Sequence, residues 1–279
     1  MKTFEQRSVS SEKNLPPTYY TGAIMSRISQ MFGVLAVAVS MVCSYTPALA
    51  VVIDPFDVDQ VESDGTGGGD SGTAASLGII GGKRGVYVGK TSGPASASFV
   101  IKAVDDGTGG TFSVSRDSGT GGHALVQWDG DDTAPTAFDP TSNLSFLLDD
   151  GAGAAGYDLT AGGTLGILVK VLVADVAGQT LEFKLFSDDA TEVSTQSYAL
   201  VGTAPPTIDV LFPWAGFAGT ADLAGVKAIT LAITGPVGSD LTIDLLGTYV
   251  PEPATAGIFG LGAIAILGRL RRSRSRRQS

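Results

Sequence analysis

His123 is the only histidine of this chain and Cys43 its only cysteine. A catalytic imidazole needs a nucleophilic or titratable partner, and a zinc centre needs three or four nitrogen, sulfur or carboxylate ligands. A single histidine rules out a multi-histidine zinc site, and Cys43 lies in a segment expected to be removed. No serine stands in a Gly-x-Ser-x-Gly turn, so there is no nucleophile elbow. A glycosidase would need two carboxylates flanking a sugar, and the spacing of the 28 acidic residues singles out no such pair. These residues predict a protein that is not an enzyme. His123 follows the flexible run Ser118 to Gly122 and is expected to be structural.

Binding chemistry has more to work with. Asp54, Asp57, Asp59, Glu62 and Asp64 lie close together, and Asp129, Asp131 and Asp132 form a second acidic cluster. Neither has the fixed glycine and terminal glutamate of an EF-hand loop, so solvated acidic loops are the plain reading. Trp128 and Trp214 offer flat apolar faces with a polar edge, the chemistry that stacks on pyranose rings. Trp128 shares an alternating face with Ala124 and Val126, which predicts burial. Trp214 follows Pro213 beside Phe212 and Phe217, so it is the better candidate for a ligand edge, although packing under its loop is the expectation.

The remaining chemistry is that of a substrate. Val250, Pro251, Glu252 and Pro253 precede fifteen uncharged residues, Ala254 to Gly268, and then Arg269, Arg271, Arg272, Arg274, Arg276 and Arg277. Pro251 and Pro253 donate no amide hydrogen bonds and push their predecessors toward extended backbone, so the motif should be stretched and open to a protease. As a helix the uncharged stretch would span about 22 Å, short of a hydrocarbon core of about 30 Å. Clustered arginines stay on the cytoplasmic side of a span, which puts the motif on the outer side.

Proline-bounded motif, short span and basic stop, in that order, resemble the PEP-CTERM sorting signal. The resemblance covers Val250 to Arg277. It implies that an exosortase-type membrane protease recognises Pro251, Glu252 and Pro253 and removes the span and the basic tail. Residues 254–268 would be the transmembrane helix, with Arg269, Arg271 and Arg272 as the membrane stop.

The opposite end fits an exported chain. An apolar segment from Phe32 to Val42 follows Arg27, and Ala48, Leu49 and Ala50 form a small-x-small pattern after Pro47, as in a secretory signal helix cut by signal peptidase. Cleavage is expected after Ala50, leaving Val51 first. Met25 would begin a signal of ordinary length and is an alternative start to Met1. Val42 stands where a lipoprotein signal would want a small residue, so Cys43 is expected to leave with the signal. Residues 1–50 are thus the signal region, 51–249 the extracellular body and 250–279 the sorting region.

Between Val51 and Val250 there are 25 acidic and 8 basic residues, a formal charge of −17. Polyanion binding depends on neutralising phosphates with lysine and arginine, so nucleic acid is excluded as a partner. With no cysteine in it, the body must hold itself together by packing. About 200 residues suffice for one core. Ala97 to Val104, Thr111 to Arg116, His123 to Trp128, Leu144 to Leu148, Leu165 to Ala174, Thr180 to Phe186, Glu192 to Leu200, Thr207 to Phe212, Lys227 to Thr234 and Leu241 to Tyr249 read as strands, and Leu77 to Val88 as two short strands around Gly81 and Gly82. Thr111–Arg116 and His123–Trp128 are expected to pair with each other. Asp64 to Ala75 is too poor in apolar residues to pack and reads as a surface loop.

About eleven strands without helical periodicity predict an all-β fold, a single antiparallel β-sandwich of jelly-roll type flanked by the signal helix and the C-terminal helix. Gly81, Gly82, Lys83 and Arg84, then Val126 to Gly130, then Ala221 to Ile229 leading to Thr242, Ile243 and Asp244, resemble a body recurrent on PEP-CTERM proteins, and the closing strands resemble the galactose-binding-like sandwich of carbohydrate-binding modules. That likeness implies a structural calcium near the first and last strands, hence Asp57 and Asp244, with no other cofactor. Several positions where a sugar-binding face would carry aromatics are Ala, Gly or Thr. The sequence therefore predicts an exported, non-enzymatic protein that passes the inner membrane and ends at the cell surface or in an extracellular matrix. The alternative is a carbohydrate-binding module for extracellular polysaccharide.

Overall fold

The computed structural model describes residues 48–65, 67–105, 109–149, 156–202 and 207–251. In chain order the strands are β1 (Ala48–Asp54), β2 (Gln60–Asp64), β3 (Asp70–Ala75), β4 (Lys83–Ser92), β5 (Phe99–Asp105), β6 (Gly110–Arg116) and β7 (Gly121–Trp128). They continue with β8 (Gly166–Ala174), β9 (Thr180–Phe186), β10 (Val193–Ala199), β11 (Ile208–Pro213), β12 (Ala218–Gly219), β13 (Ala228–Thr234) and β14 (Leu241–Val250). The helical elements among the described residues are three single 3-10 turns, at Ile80–Gly82, Ala161–Gly163 and Trp214–Gly216.

Two sheets hold these strands. The first runs β11-β8-β14-β6-β5-β2, with β1 also on β14, and the second runs β12-β10-β9-β13-β7-β4-β3. Every pairing between named strands is antiparallel. The all-β reading and the two-sheet sandwich are as the alternation of apolar residues indicates, because a strand places successive side chains on opposite faces. Phe99, Ile101 and Ala103 of β5 and Leu181, Phe183 and Leu185 of β9 all point into the core. Phe183 meets Phe212 of β11 edge to face with centroids 4.8 Å apart, which joins the two sheets by a ring contact.

Four local readings change. Asp70–Ala75 is not loop but β3, an edge strand laid along β4 from Asp70↔Val88 to Ala75↔Lys83. It needs little apolar content because only Ala74 of it is buried. Leu144 to Leu148 is irregular rather than a strand: Asp129 accepts the Ser145 amide through its carboxylate and the Leu147 amide through its carbonyl, and Phe146 has φ 51°. β6 and β7 do not pair with each other, since β6 lies between β5 and β14 and β7 between β4 and β13. The span from Leu77 to Val88 yields one long strand, β4, after a 3-10 turn in which Gly81 takes φ 67°.

The body from Pro47 to Pro251 is one compact unit. The signal region before Pro47 and the sorting residues Glu252 and Pro253, the span 254–268 and Arg269, Arg271 and Arg272 lie outside the described residues. Among the described residues no helix is long and apolar enough to cross a membrane.

Candidate functional site

β14 leads into the sorting motif, and its two edges are filled differently. On one side β8 runs along it from Leu241↔Ala174 to Tyr249↔Gly166. On the other, β6 covers only Leu241 to Ile243, and β1 takes over from Leu246 to Val250. The register of that second seam is Asp54↔Leu246, Val52↔Gly247, Leu49↔Tyr249 and Ala48↔Val250. Its ladder is irregular between Leu49 and Val52, so the Ala50–Val51 bond lies where neither residue has a ladder partner. The Val51 amide instead donates to Thr248 Oγ1 at 3.0 Å. Ala48 and Ala50, the residues of the expected signal cleavage, thus lie in the strand that runs beside Val250, the first residue of the sorting motif.

Below this seam β1 is locked into the core. Asp54 is fully buried, and Arg84 of β4, equally buried, donates from Nη1 to both of its carboxylate oxygens at 2.9 Å. Trp128 Nε1 donates to Asp54 Oδ2 at 2.9 Å and the Phe56 amide to Oδ1 at 2.8 Å. Arg84 also donates from Nε to Gln60 Oε1 and from Nη2 to the Val58 carbonyl. Burial pushes the Asp54 carboxyl upward, against the opposing pull of Arg84 and the Trp128 and Phe56 donors. The chain then turns through Phe56, which holds φ 55° and stacks on Phe112 at 5.2 Å. Gly110 lets this turn close, because a Cβ there would sit 1.7 Å from the Phe56 carbonyl oxygen. By sequence, Asp54 belongs to a solvated acidic cluster; in the fold it is a core residue. The signal for this is Arg84, which alternates in phase with Val86 and Val88 and so has to enter the core with an anionic partner.

The outer face of the second sheet carries the polar side chains. One cross-strand row reads Thr195, Lys184, Thr230, Gln127 and Gly85, and the next Ser197, Glu182, Ala232, Leu125 and Tyr87. Residues after Trp128 fold back over part of it, with Gln127 Nε2 donating to the Pro140 and Ser142 carbonyls. His123 stacks on Phe138 with centroids 3.9 Å apart and lies 6.3 Å from Tyr87. Its pKa is pushed below the ordinary histidine value by burial, and further by the positive charge of Arg116.

Trp128 is fully buried, as its alternation with Ala124 and Val126 requires. Trp214 is half-buried against the core, and its Nε1 donates to Thr164 at the carbonyl (3.0 Å) and at Oγ1 (3.1 Å). Its ring centroid is 5.9 Å from that of Phe217. Asp57 is exposed just after β1, and Asp244 of β14 forms an ion pair with Lys170 of β8. No group of three or more histidine, cysteine, aspartate or glutamate side chains that could hold a metal occurs among the described residues.

Residues 250–272 match the family model described as the PEP-CTERM protein-sorting motif. The chain carries a PEP-CTERM sorting motif. Such a motif marks an exported, surface-directed protein, and the match begins on the last residue of β14. No curated protein sequence matches the chain. Among solved structures, it is similar to a family 11 carbohydrate-binding module from Clostridium thermocellum in complex with a β-1,3-1,4-mixed-linked tetrasaccharide, at 15% identity over 64% of this chain and 94% of that one, with a TM-score of 0.35. The solution structure of CtCBM11 is similar at 16% identity over 65% of this chain and 97% of that one, TM-score 0.37. An arabinose-bound MgGH51 α-L-arabinofuranosidase is similar at 13% identity over 58% of this chain and 23% of that one, TM-score 0.32.

Proposed function

We propose that this PEP-CTERM protein is a non-enzymatic cargo, a β-sandwich that signal peptidase and then an exosortase-type membrane protease prepare for the cell surface or the extracellular matrix. The carrying observation is where the motif falls. Val250 ends β14, so a cut within or after Pro251-Glu252-Pro253 releases all of the described strands together. The short span would hold the chain in the inner membrane until that cut is made. His123, the lone imidazole, is packed against Phe138, and burial together with the Arg116 charge holds its pKa down. Intact-mass measurement of the protein from its own cells tests the reading. The wild type should lack the arginine-rich tail, and Pro251→Ala with Glu252→Ala should keep it. A native mass that includes Arg269 to Arg277 would overturn it.

A second reading is polysaccharide binding by the body. The specific observation in its favour is the outer face of the second sheet, where Lys184, Thr195, Glu182 and Ser197 stay at least partly exposed on the same face as the Tyr87, His123 and Phe138 rings, while Gln127, Thr230, Leu125 and Ala232 between them are buried. Sugars are held by such a mixture of planar polar hydrogen bonds and ring stacking. Trp214 is a second candidate at the sandwich edge. Glycan-array binding by the body, abolished by Tyr87→Ala or Trp214→Ala in a folded protein, would establish it. Calcium held through Asp57 and Asp244 belongs to the same reading. It requires a calcium-dependent rise in melting temperature that Asp57→Asn and Asp244→Asn remove, and Lys170 competes for Asp244.

A further inference from the structure

The residues of the expected signal cleavage and the first residue of the sorting motif share one seam. Along the β1 side of β14, Val250 is paired with Ala48 and Tyr249 with Leu49. On the β8 side the ladder stops at Tyr249↔Gly166, with the Leu165 amide still donating to the Tyr249 carbonyl at 2.8 Å. Among the described strands, Ala48 is therefore the one ladder partner of Val250, where the sorting motif begins. The bond whose cleavage would remove Ala48, Leu49 and Ala50 lies one residue further along, in the irregular stretch of the same strand.

Proteases take their substrates as extended strands and hold them by main-chain hydrogen bonds, as in the addition of a strand to an open edge. A segment that already pairs with a neighbour cannot make those bonds. From this seam we infer that removal of the signal peptide is the reaction that supplies the substrate of the C-terminal protease. Signal cleavage strips the first three residues of β1 and frees the backbone of Val250 beside Pro251. The rest of the seam stays closed. Val52 and Asp54 keep their partners on β14, Val51 is tied to Thr248, and Asp54 is fixed by Arg84 and Trp128. N-terminal processing thus opens the sorting motif without opening the body. The two cuts acquire an order: a chain whose leader is still attached is withheld from release.

This inference rests on the C-terminal cleavage proposed above, and three chains separate the two. In cells that make the protein, tail removal is tracked by pulse-chase with intact-mass readout. The first chain is the wild type. The second is Ala50→Phe, which defeats the small-x-small pattern and retains the leader. The third adds Ala48→Pro and Leu49→Pro to the second, since proline has no N–H to give a ladder in either register. The Ala50→Phe chain should lose its tail slower by about tenfold or more, the effect of two ladder hydrogen bonds of ordinary net strength. The triple variant should return to within about threefold of the wild type, with the leader still attached. The mature body proposed above lacks residues 48 and 49 and so folds without them; equal resistance of the bodies to limited proteolysis checks that their replacement in the leader-bearing chain leaves that fold intact. Tail removal from Ala50→Phe at the wild-type rate would overturn the ordering alone. Equal slowing in the triple variant would show that leader attachment, not strand pairing, delays the second cut, and would also overturn it. A wild type that keeps its tail would overturn the underlying function.

Discussion

Arg84 and Asp54 meet inside the sandwich, with Nη1 2.9 Å from each carboxylate oxygen and no exposure of either side chain. One comes from β4 of the second sheet and the other from β1 of the first, so the pair ties the two sheets together. Removing one member leaves the other charged and dry. Arg84→Met should therefore destabilise the body by about 3–5 kcal/mol, whereas Asp54→Leu combined with Arg84→Met should cost markedly less. Urea unfolding of residues 47–251 at neutral pH checks both. A single and a double variant of equal stability would mean that the pair is not coupled.

Much of the fold was legible because alternation is loud where strands are central. Thr180–Phe186 could be bounded to the residue, since Leu181, Phe183 and Leu185 are buried while Glu182 and Lys184 are not fully so. β3 was silent because an edge strand is held by backbone, and Gly72 and Ser71 carry no apolar signal. Leu144 to Leu148 misled in the opposite way: Leu148 is buried, but its neighbours obey the hydrogen bonds of Asp129 rather than a ladder. Sheet assignment is a property of partners far along the chain, so β6 and β7 looked like a hairpin. The sorting motif was readable because its residues are local, while the β1–β14 seam joins positions some 200 residues apart.

Close approach of the turn after β1 gives a second prediction. A methyl group at residue 110 would lie 1.7 Å from the Phe56 carbonyl oxygen and 2.7 Å from the Asp57 nitrogen, all backbone atoms that cannot swing aside. Gly110→Ala should cost about 1–3 kcal/mol or more, as overpacking does. Gly65→Ala is the control, because nothing lies within 4 Å of a Cβ there. Equal unfolding midpoints for the two variants would show that the turn relaxes freely.

His123 supplies a pH test. Its imidazole is shifted below the ordinary value of 6.5 by burial and then by Arg116. The unfolded chain therefore takes up a proton before the folded one as pH falls, and stability is lost on going below 6.5 until the folded pKa is passed. Above 6.5 this contribution is fully present. His123→Gln, which has no titrating group, should flatten the dependence of the urea midpoint between pH 7.5 and the mildly acidic range. If the wild type and variant give parallel curves, the histidine is not held neutral by the fold.

Trp214 separates packing from ligand binding. Its N–H is already spent on Thr164, a residue 5% exposed, and its ring packs against the core cluster near Phe217. If the indole is there to close the loop, Trp214→Phe keeps the ring but leaves the Thr164 carbonyl short of a donor, at a cost of about 1–3 kcal/mol. Trp214→Ala also forfeits the packing and should cost more. A residue kept for stacking on sugar would behave differently, because phenylalanine still presents a face and neither change would disturb the fold. Thermal melts of the two variants decide between them. Stability unchanged in Trp214→Phe, together with a loss of glycan binding in Trp214→Ala, would move this side chain from the frame of the sandwich to its binding surface.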